Sequence, residues 1–570
     1  MKKKIYALAI MASTLLVGCS NANGGTQKTE APKGKAVTEG TGYGYGGEIK
    51  VKVTTEDGKI TDLELVSESE TSVVIDRAFP VIKERIIEAQ TPVVDSVSGA
   101  TYSSFGVKTA VADVLTQQGQ EIEKIGMDTK GPETEKKELE AVNTQLVVVG
   151  GGPAGLSAAI QAKQDGIENV ILIEKLDILS GNGKFDLDFV DLINSEAQKA
   201  NGINDTVEDF AKYLKEEKGA WDTDERILAQ AKGSYILDEW LREMGTKLNY
   251  NFDYRNHMSE SDRYAGEQIQ ENMEKKAYEL GVDIRTGTEG LDLIIKDGKA
   301  TGVKVKHKND YYDINAEAVI VATGGFSNNK ELLAKYAPGT EVLATSNQMG
   351  TTGDFIPVFE KHNLALDKMD ITRIFPIINL PRRDLTGGGD GYLFVNKEGN
   401  RFIDETKREL ELASAIKSQT GGTVYYIYDK NLYEKTYRLQ KHNKLGYHTK
   451  ADSLEELAEK LGIDANNLKE TVSTYNKAVK GEIKDEFREV PYTEEFDVNG
   501  PVYGVQVESA IHMTRGGVVA NEKAEILTND GKVVKGLYAA GEVAASSQAY
   551  SAAVIFGRIS GEEAAKYIAK

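Results

Sequence analysis

Two short glycine-bearing turns carry the chemistry that can be read from this chain. The first, Gly150-Gly151-Gly152-Pro153-Ala154-Gly155, has the spacing G-x-G-x-x-G and is entered from the apolar run Gln145-Leu146-Val147-Val148-Val149. Leu156 to Lys163 then reads as helix. Glycines so placed let the backbone approach a pyrophosphate, whose charge the exposed N–H groups of a helix N-terminus favour. About twenty residues on, Val170-Ile171-Leu172-Ile173 reads as a strand ending in Glu174, placed to bond a ribose hydroxyl, with Lys175 beside it. Strand, turn, helix and acid together assign a dinucleotide to Gly150, Gly152, Ala154, Gly155, Glu174 and Lys175. Gly387-Gly388-Gly389-Asp390-Gly391 lacks that context and reads as a turn. The second chemistry-bearing turn is Asp95-Ser96-Val97-Ser98-Gly99-Ala100-Thr101. Taken alone, it admits two readings: Gly99 supplies unusual backbone angles while Thr101 bonds locally, or Thr101 presents a hydroxyl for covalent chemistry.

The elements that must position these turns are legible around them. From Gly47 to Val66 apolar and polar residues alternate on either side of Asp57-Gly58, a hairpin signal. Ala318-Val319-Ile320-Val321-Ala322-Thr323-Gly324-Gly325 and Gly536-Leu537-Tyr538-Ala539-Ala540-Gly541-Glu542 resemble the returning strands of FAD-binding flavoproteins, the second closing on the flavin. Lys2, Lys3 and Lys4 precede an apolar run from Ile5 to Val17, too short to span a bilayer and patterned as a secretory signal. Residues 20–40 are rich in Gly, Lys, Thr, Asn and Ala without apolar periodicity and read as a flexible tether. The charged stretch around 129–140 reads as a linker. At 570 residues the chain has room for several domains, and its net charge of −20 argues against nucleic acid as a partner. Cys19 is the only cysteine, which excludes an intrachain disulfide framework, a CxxC dithiol centre, a Cys-ligated iron–sulfur cluster and a C-x-x-C-H haem site. No metal site is read from the chain.

The turn at Thr101, with the hairpin upstream of it, resembles the attachment site of bacterial FMN-binding domains, in which the threonine of D-x-x-S-G-A-T carries FMN through a phosphodiester bond. Leu16-Val17-Gly18-Cys19 resembles a lipobox, which implies cleavage before Cys19 and a diacylglycerol anchor on its thiol. From about Gly42 onward the chain resembles the soluble fumarate reductase and urocanate reductase flavoproteins, in versions whose N-terminal domain binds FMN in place of haem. The motifs are Gly350-Thr351-Thr352-Gly353-Asp354, Leu393 to Phe402, Ile511-His512-Met513-Thr514-Arg515-Gly516-Gly517 and Phe556-Gly557-Arg558-Ile559-Ser560-Gly561. The resemblance implies a small α+β FMN-binding domain, then an α/β Rossmann-like FAD-binding domain with an inserted α+β clamp domain. The boundaries expected are signal 1–18, lipidated Cys19 and tether 19–41, FMN domain 42–125, linker 126–143, FAD domain 144–368 and 506–570, and clamp 369–505. It also implies non-covalent FAD, further touched by Thr323, Gly324, Gly541 and Glu542, and one covalent FMN on Thr101, attached by a flavin transferase.

The chemistry implied is hydride delivery from the flavin to the β carbon of an unsaturated acid, with an arginine protonating the adjacent carbon. In Arg401-Phe402-Ile403-Asp404-Glu405-Thr406-Lys407-Arg408 the position carried over is Arg408, with Glu405 or Glu409 returning the proton; a surface arginine in a helical ion pair is the alternative. His512 matches the histidine that contacts a substrate carboxylate. Thr352, Phe375, Arg515 and Tyr550 are the further substrate-binding candidates, Arg515 either as a cation at the pocket or facing solvent.

Two departures argue against fumarate. The Q-A-H-P segment of the family reads Arg373-Ile374-Phe375-Pro376, and the arginine-bearing stretch after G-E-V is missing between Val543 and Ala553. Losing a bidentate carboxylate clamp disfavours a dicarboxylate, and Phe375 and Tyr550 suggest a more aromatic acceptor. Ser180 to Asp186 replaces a smaller Gly-rich loop, so altered flavin contacts are expected there. The expectation is a reductase lipid-anchored on the outer face of the cell membrane, drawing electrons from a membrane-bound donor chain through FMN and FAD to an unsaturated organic acid. An electron-transfer lipoprotein without its own substrate, or a flavin dehydrogenase running oxidatively, stays open.

Overall fold

The computed structural model describes residues 34–570 apart from 45–46, 69, 71, 128, 132–134, 185–188, 217–221, 251–252, 261–263, 380–383, 389, 408, 491–492 and 547–549. Cys19 with its signal segment, and Arg408, lie outside the described residues.

The N-terminal domain is a three-stranded antiparallel sheet, β1 (Lys35–Tyr43), β2 (Glu48–Glu56) and β3 (Lys59–Ser67), covered by α1 (Ser72–Ala89) and α2 (Thr101–Gln117). Asp57 and Gly58 both take positive φ, 49° and 77°, the two-residue hairpin turn whose twist matches its strands. Ile49, Val51 and Val53 alternate inward from β2, giving one buried face. The strand β1 corrects the expected tether, because the folded part begins at Lys35 and not at Gly42. Its inward positions are Gly40 and Gly42, where a Cβ would lie 2.0 Å from the carbonyl oxygens of Ala110 and Gly106. The helix backbone packs so close that only glycine fits, and the strand therefore carries no apolar alternation.

The second domain is built on parallel strands in the spatial order Asp283–Arg285, Val170–Ile173, Val142–Val149, Asp310–Val321 and Val533–Ala539. In chain order the first four are β4 (Val142–Val149), β5 (Val170–Ile173), β6 (Asp283–Arg285) and β7 (Asp310–Val321). Helix α3 (Pro153–Gln164) follows β4, and α4 (Ala265–Glu279) packs beside it. Leu146, Val147, Val148 and Ile171, Leu172 are all buried, as expected of strands covered on both faces. The Phe556 to Gly561 motif explains itself in packing: a Cβ at Gly557 would lie 2.3 Å from Ala154 O and one at Gly561 2.4 Å from Ala158 O. These glycines seat the C-terminal helix Tyr550–Ile568 directly on α3.

The inserted domain contains β8 (Thr372–Asn379), β9 (Val424–Asp429), α5 (Tyr437–Lys444), α6 (Leu454–Leu461) and β10 (Val502–Thr514). β10 pairs antiparallel with both β8 and β9. Every residue of β9 is buried, because Leu457, Leu468 and Val472 cover one face of the sheet while Leu412, Leu439 and Val505 belong to the core on the other. The expected clamp boundary at 505 falls inside β10, a single continuous strand whose first half pairs with β9 and whose C-terminal half pairs with β8 and carries His512.

Candidate active site

β4 delivers the chain to Gly150 at φ +110°, and α3 starts at Pro153 with Gly152 as an N-cap that makes no side-chain bond to the helix. A Cβ at Gly155 would stand 1.8 Å from Gly150 O, and one at Gly150 2.4 Å from Ala322 O. At Gly152 and at Gly324, the latter with φ +76°, nothing lies within 4 Å of the Cβ direction. The first two glycines close the strand–helix turn, whereas Gly152 and Gly324 leave open space for a ligand to meet bare backbone. The hydroxyl of Thr323, at the end of β7, is buried with no hydrogen-bond partner in the protein, and an orphaned buried hydroxyl is costly without a ligand to satisfy it. Gly541, at φ +80°, packs its Cα side against Ala154, where a Cβ would be 2.9 Å from the alanine methyl. These residues fit a bound dinucleotide.

Both oxygens of Glu174 are already engaged, accepting from the backbone N–H of Gly151 and of Leu176 at 2.8 Å each. Burial pushes its carboxyl up while those two donors pull it down, and spare lone pairs remain for a ribose hydroxyl. Lys184, in the altered loop, is buried nearby and is pushed down to about 8 by burial, against the pull of Glu174; residues 185–188 of that loop lie outside the described set. Glu542 accepts from the N–H (2.8 Å) and hydroxyl (3.1 Å) of Thr514. Burial pushes its carboxyl up to about 7. It thereby ties the end of β10 to the returning strand.

At the N-terminal domain, Thr101 is the first residue of α2, with Gly99 at φ +91° turning the chain into it. Ser104 braces the turn by accepting from Val97 N (2.9 Å) and donating to Ala100 O (2.8 Å). Buried Lys108 donates to Val94 O, Thr129 O and Ser96 Oγ, and burial lowers its pKa. Thr101 stays partly exposed and its hydroxyl is bonded by no group among the described residues, so the local-bonding alternative finds no partner. If Thr101 carries FMN, protein with Thr101→Val, made beside a flavin transferase, loses the FMN mass increment completely while keeping FAD; retained mass would assign the attachment elsewhere.

His512 sits near the end of β10, where its Nδ1 hydrogen-bonds Ser346 Oγ at 2.9 Å and its ring meets Phe375 edge-to-face with centroids 4.8 Å apart. The residue is half-buried, with its ring deep among protein atoms. Burial, aided by the positive charges of Arg438 on α5 and Arg373 on β8, holds its pKa down to about 4. At neutral pH it is therefore an uncharged donor or acceptor. The Arg373 guanidinium lies over the Phe375 ring at 5.3 Å. Arg515 is buried and not solvent-facing, its N–H donating to Ile371 O.

Three expectations need correction. Thr352 is not placed beside the substrate group: its hydroxyl bonds Asp354 (2.7 Å) and Lys175, because the Gly350 to Asp354 turn packs on the chain after β5. Tyr550 is joined to Gln270 on α4, since the C-terminal helix begins on that side of the sheet. Glu405 is not a free carboxyl at the site: it is buried and held in two parallel bonds by Arg401 (2.7 and 2.8 Å), which also binds Asp485 at 3.0 Å. The Glu409 side chain lies outside the described set. Arg373 and Arg438 were not legible as site residues. Arg373 stands in the Arg373 to Pro376 segment, where only Phe375 drew notice, and Arg438 belongs to no motif.

Comparison with known proteins gives the family of each part of the chain. The family described as FAD binding domain matches residues 145–552, and the FMN-binding domain family matches residues 44–116. The fumarate reductase (cytochrome) of Shewanella frigidimarina is 34% identical over 450 residues, 75% of this chain and 77% of that protein. The urocanate reductase of Eggerthella lenta is 29% identical over 604 residues, covering 98% and 97%. The NADH:fumarate oxidoreductase of Klebsiella pneumoniae is 29% identical over 542 residues, 91% of this chain, which spans 57% of that longer protein. Among solved structures, the open conformation of a flavocytochrome c3 fumarate reductase superposes with a TM-score of 0.68 at 30% identity, over 76% of this chain and 79% of that one. With its FAD cradle, its inserted domain and an FMN-binding domain ahead of them, the chain belongs to the fumarate reductase-type FAD-binding flavoproteins.

Proposed function

We propose that this protein is an FAD-dependent reductase that saturates the C=C bond of an unsaturated organic acid, taking electrons through an FMN held covalently on Thr101. The observation that carries this reading is the group at the end of β10, where His512 meets Phe375 edge-to-face, Arg373 lies over the Phe375 ring, and the charges of Arg373 and Arg438 help to keep the imidazole neutral. Such a group suits a planar acid: cations for its carboxylate, an aromatic edge for its unsaturated body, and a histidine able to donate a hydrogen bond without adding charge. Arg373 and Arg438 take the part of the clamp missing after Val543, from different elements of the fold. Bound FAD supplies hydride to the β carbon. Arg408 donates a proton to the α carbon, and with the two electrons and one proton of the hydride this completes the saturated product. The inserted domain excludes water, which strengthens each charge–charge contact in the site. Lipid on Cys19 would hold the enzyme at the outer face of the membrane, within reach of a membrane electron donor.

The test is anaerobic oxidation of a reduced viologen by FAD-loaded protein, against fumarate, urocanate, cinnamate-type acids and small aliphatic enoates. One acid is expected to turn over, and Arg438→Gln to raise its KM by about tenfold to a hundredfold with a smaller change in kcat, the worth of a hydrogen bond to a charged group. Silence across the panel with FAD bound and reducible would overturn the reading in favour of an electron relay or an oxidative dehydrogenase. An unchanged KM in the variant would remove Arg438 from the substrate site.

A further inference from the structure

The five residues after Glu174 divide in direction. Lys175 turns toward Thr352 and Asp354 inside the FAD-binding domain. Asp177 and Ile178 turn the other way, into the N-terminal domain. Asp177 Oδ1 accepts from Arg85 Nη2 at 2.7 Å, and Oδ2 accepts from the N–H (2.7 Å) and the hydroxyl (2.9 Å) of Ser98. The Asp177 N–H donates back to Ser98 Oγ at 2.9 Å. Arg85 also donates to the carbonyls of Asp95 and Ser96, at 3.2 and 3.0 Å, so one guanidinium spans the turn and the aspartate. Ile178 is 3% exposed and is counted in the apolar core of the N-terminal domain with Val97, Ala100 and Val107. Gly99 lies against it, and a Cβ there would be 3.2 Å from Ile178 Cδ1. A second latch lies on the same side: Arg77 of α1 pairs with Glu274 of α4 at 3.1 Å, and Glu274 also takes a bond from Ser180.

Among the described residues, every side-chain partner of Asp177 lies on the Asp95 to Thr101 turn or on the Arg85 side chain that braces it. On the other domain the contact begins three residues after the acid that ends β5. Surface ion pairs contribute little, but Asp177 and Arg85 are largely covered, with side chains 15% and 21% exposed, and the aspartate spends three acceptor sites on groups of known geometry. A domain interface that needed to open each cycle would not bury an isoleucine in its neighbour's core.

We infer that Asp177 and Ile178 form a fixed dock that presses the FMN-bearing turn onto the FAD-binding domain, making Asp177 a positioning residue for electron transfer between the two flavins. The inference rests on the reading that Thr101 carries FMN. Electrons then pass one at a time from reduced FMN to FAD within one rigid body, and no domain swing is required. Tunnelling rates fall steeply with the gap, so loosening the turn slows the transfer without touching either flavin's own binding groups.

The experiment uses the full chain with both flavins, FMN occupancy being checked by intact mass and FAD by extraction. A photochemically generated one-electron donor reduces FMN, and absorbance then follows equilibration with FAD. In the wild type this step is expected to be independent of protein concentration. In Asp177→Ala it should slow by about tenfold or more, as mispositioning by an ångström commonly does. Arg85→Gln, a milder change made from the other domain, should slow it in the same direction while both flavins remain bound, as should Asp177→Asn. Backbone amides of residues 97–100 should exchange faster in each variant. Unchanged transfer in variants holding both flavins would overturn the dock. Wild-type protein lacking FMN on Thr101 would instead show by mass that the attachment reading fails, and the electron-transfer role of the dock with it.

Discussion

Arg408→Ala protein, loaded with both flavins, is expected to lose turnover of its acid substrate by about 10²- to 10⁴-fold, the share a positioned proton donor contributes. A guanidinium is an unusual acid because its ordinary pKa exceeds about 12. It becomes effective when the carbon it protonates is more basic still, as the α carbon is once hydride has arrived at its neighbour. The described chain on either side suits the role. Asp404 receives the N–H and hydroxyl of Thr406 at 2.9 and 2.6 Å, fixing the turn before Arg408, and the helix Glu409–Lys417 begins directly after it. Arg401, seven positions earlier in the same motif, serves as the contrast. Its bonds to Glu405 and Asp485 are buried, so Arg401→Ala should destabilise the clamp by about 3–5 kcal/mol through uncompensated buried carboxylates. Arg408→Ala should leave the melting temperature and flavin reduction by viologen unchanged while product formation stops. If Arg408→Ala turned over at the wild-type rate, the proton donor would have to be sought elsewhere.

The second large effect is expected at the glycine turn, where two neighbouring substitutions should fail differently. A Cβ at Gly155 would lie 1.8 Å from Gly150 O, with backbone on both sides of the clash. Gly155→Ala therefore forces α3 away from β4 and should abolish FAD retention together with a large fall in melting temperature. At Gly152 nothing stands within 4 Å, so Gly152→Ala should leave the apoprotein's stability nearly unchanged. Its methyl would project into the space assigned to the pyrophosphate, and overpacking of about 1–3 kcal/mol there weakens FAD by roughly fivefold to 150-fold. Thermal melting with and without added FAD separates the two. Equal loss of apoprotein stability in both variants would contradict the open side of the turn.

Residues 34 to 570 divide sharply in what they disclose before folding. The G-x-G-x-x-G turn with the helix that follows it and the Asp57-Gly58 hairpin were legible, because turn chemistry and the helical and strand periods are properties of neighbours in the chain. The family motifs likewise pointed to His512 and Phe375, which the fold brings into ring contact. Strand β1 was hidden because its inward residues are glycines selected by a helix seventy positions away, and their type reports closeness without any apolar pattern. Thr352 and Glu405 were misread for a related reason. A hydroxyl or carboxylate in a motif has the same chemistry whether it faces substrate or another side chain, and only the partners brought by packing, Lys175 with Asp354 in one case and Arg401 in the other, decide which.

By itself, then, the amino-acid order determined the local elements, the dinucleotide turn, the threonine-bearing turn and the family. Tertiary structure alone decided which charges surround His512 and what holds Thr101's turn. Arg373 on β8 lies over the Phe375 ring and Arg438 on α5 adds its charge to the field at His512, while Asp177 meets Ser98 across a domain boundary. These pairings depend on how separately formed elements dock, and no short-range spacing encodes the distance between two side chains that meet only after the core has closed.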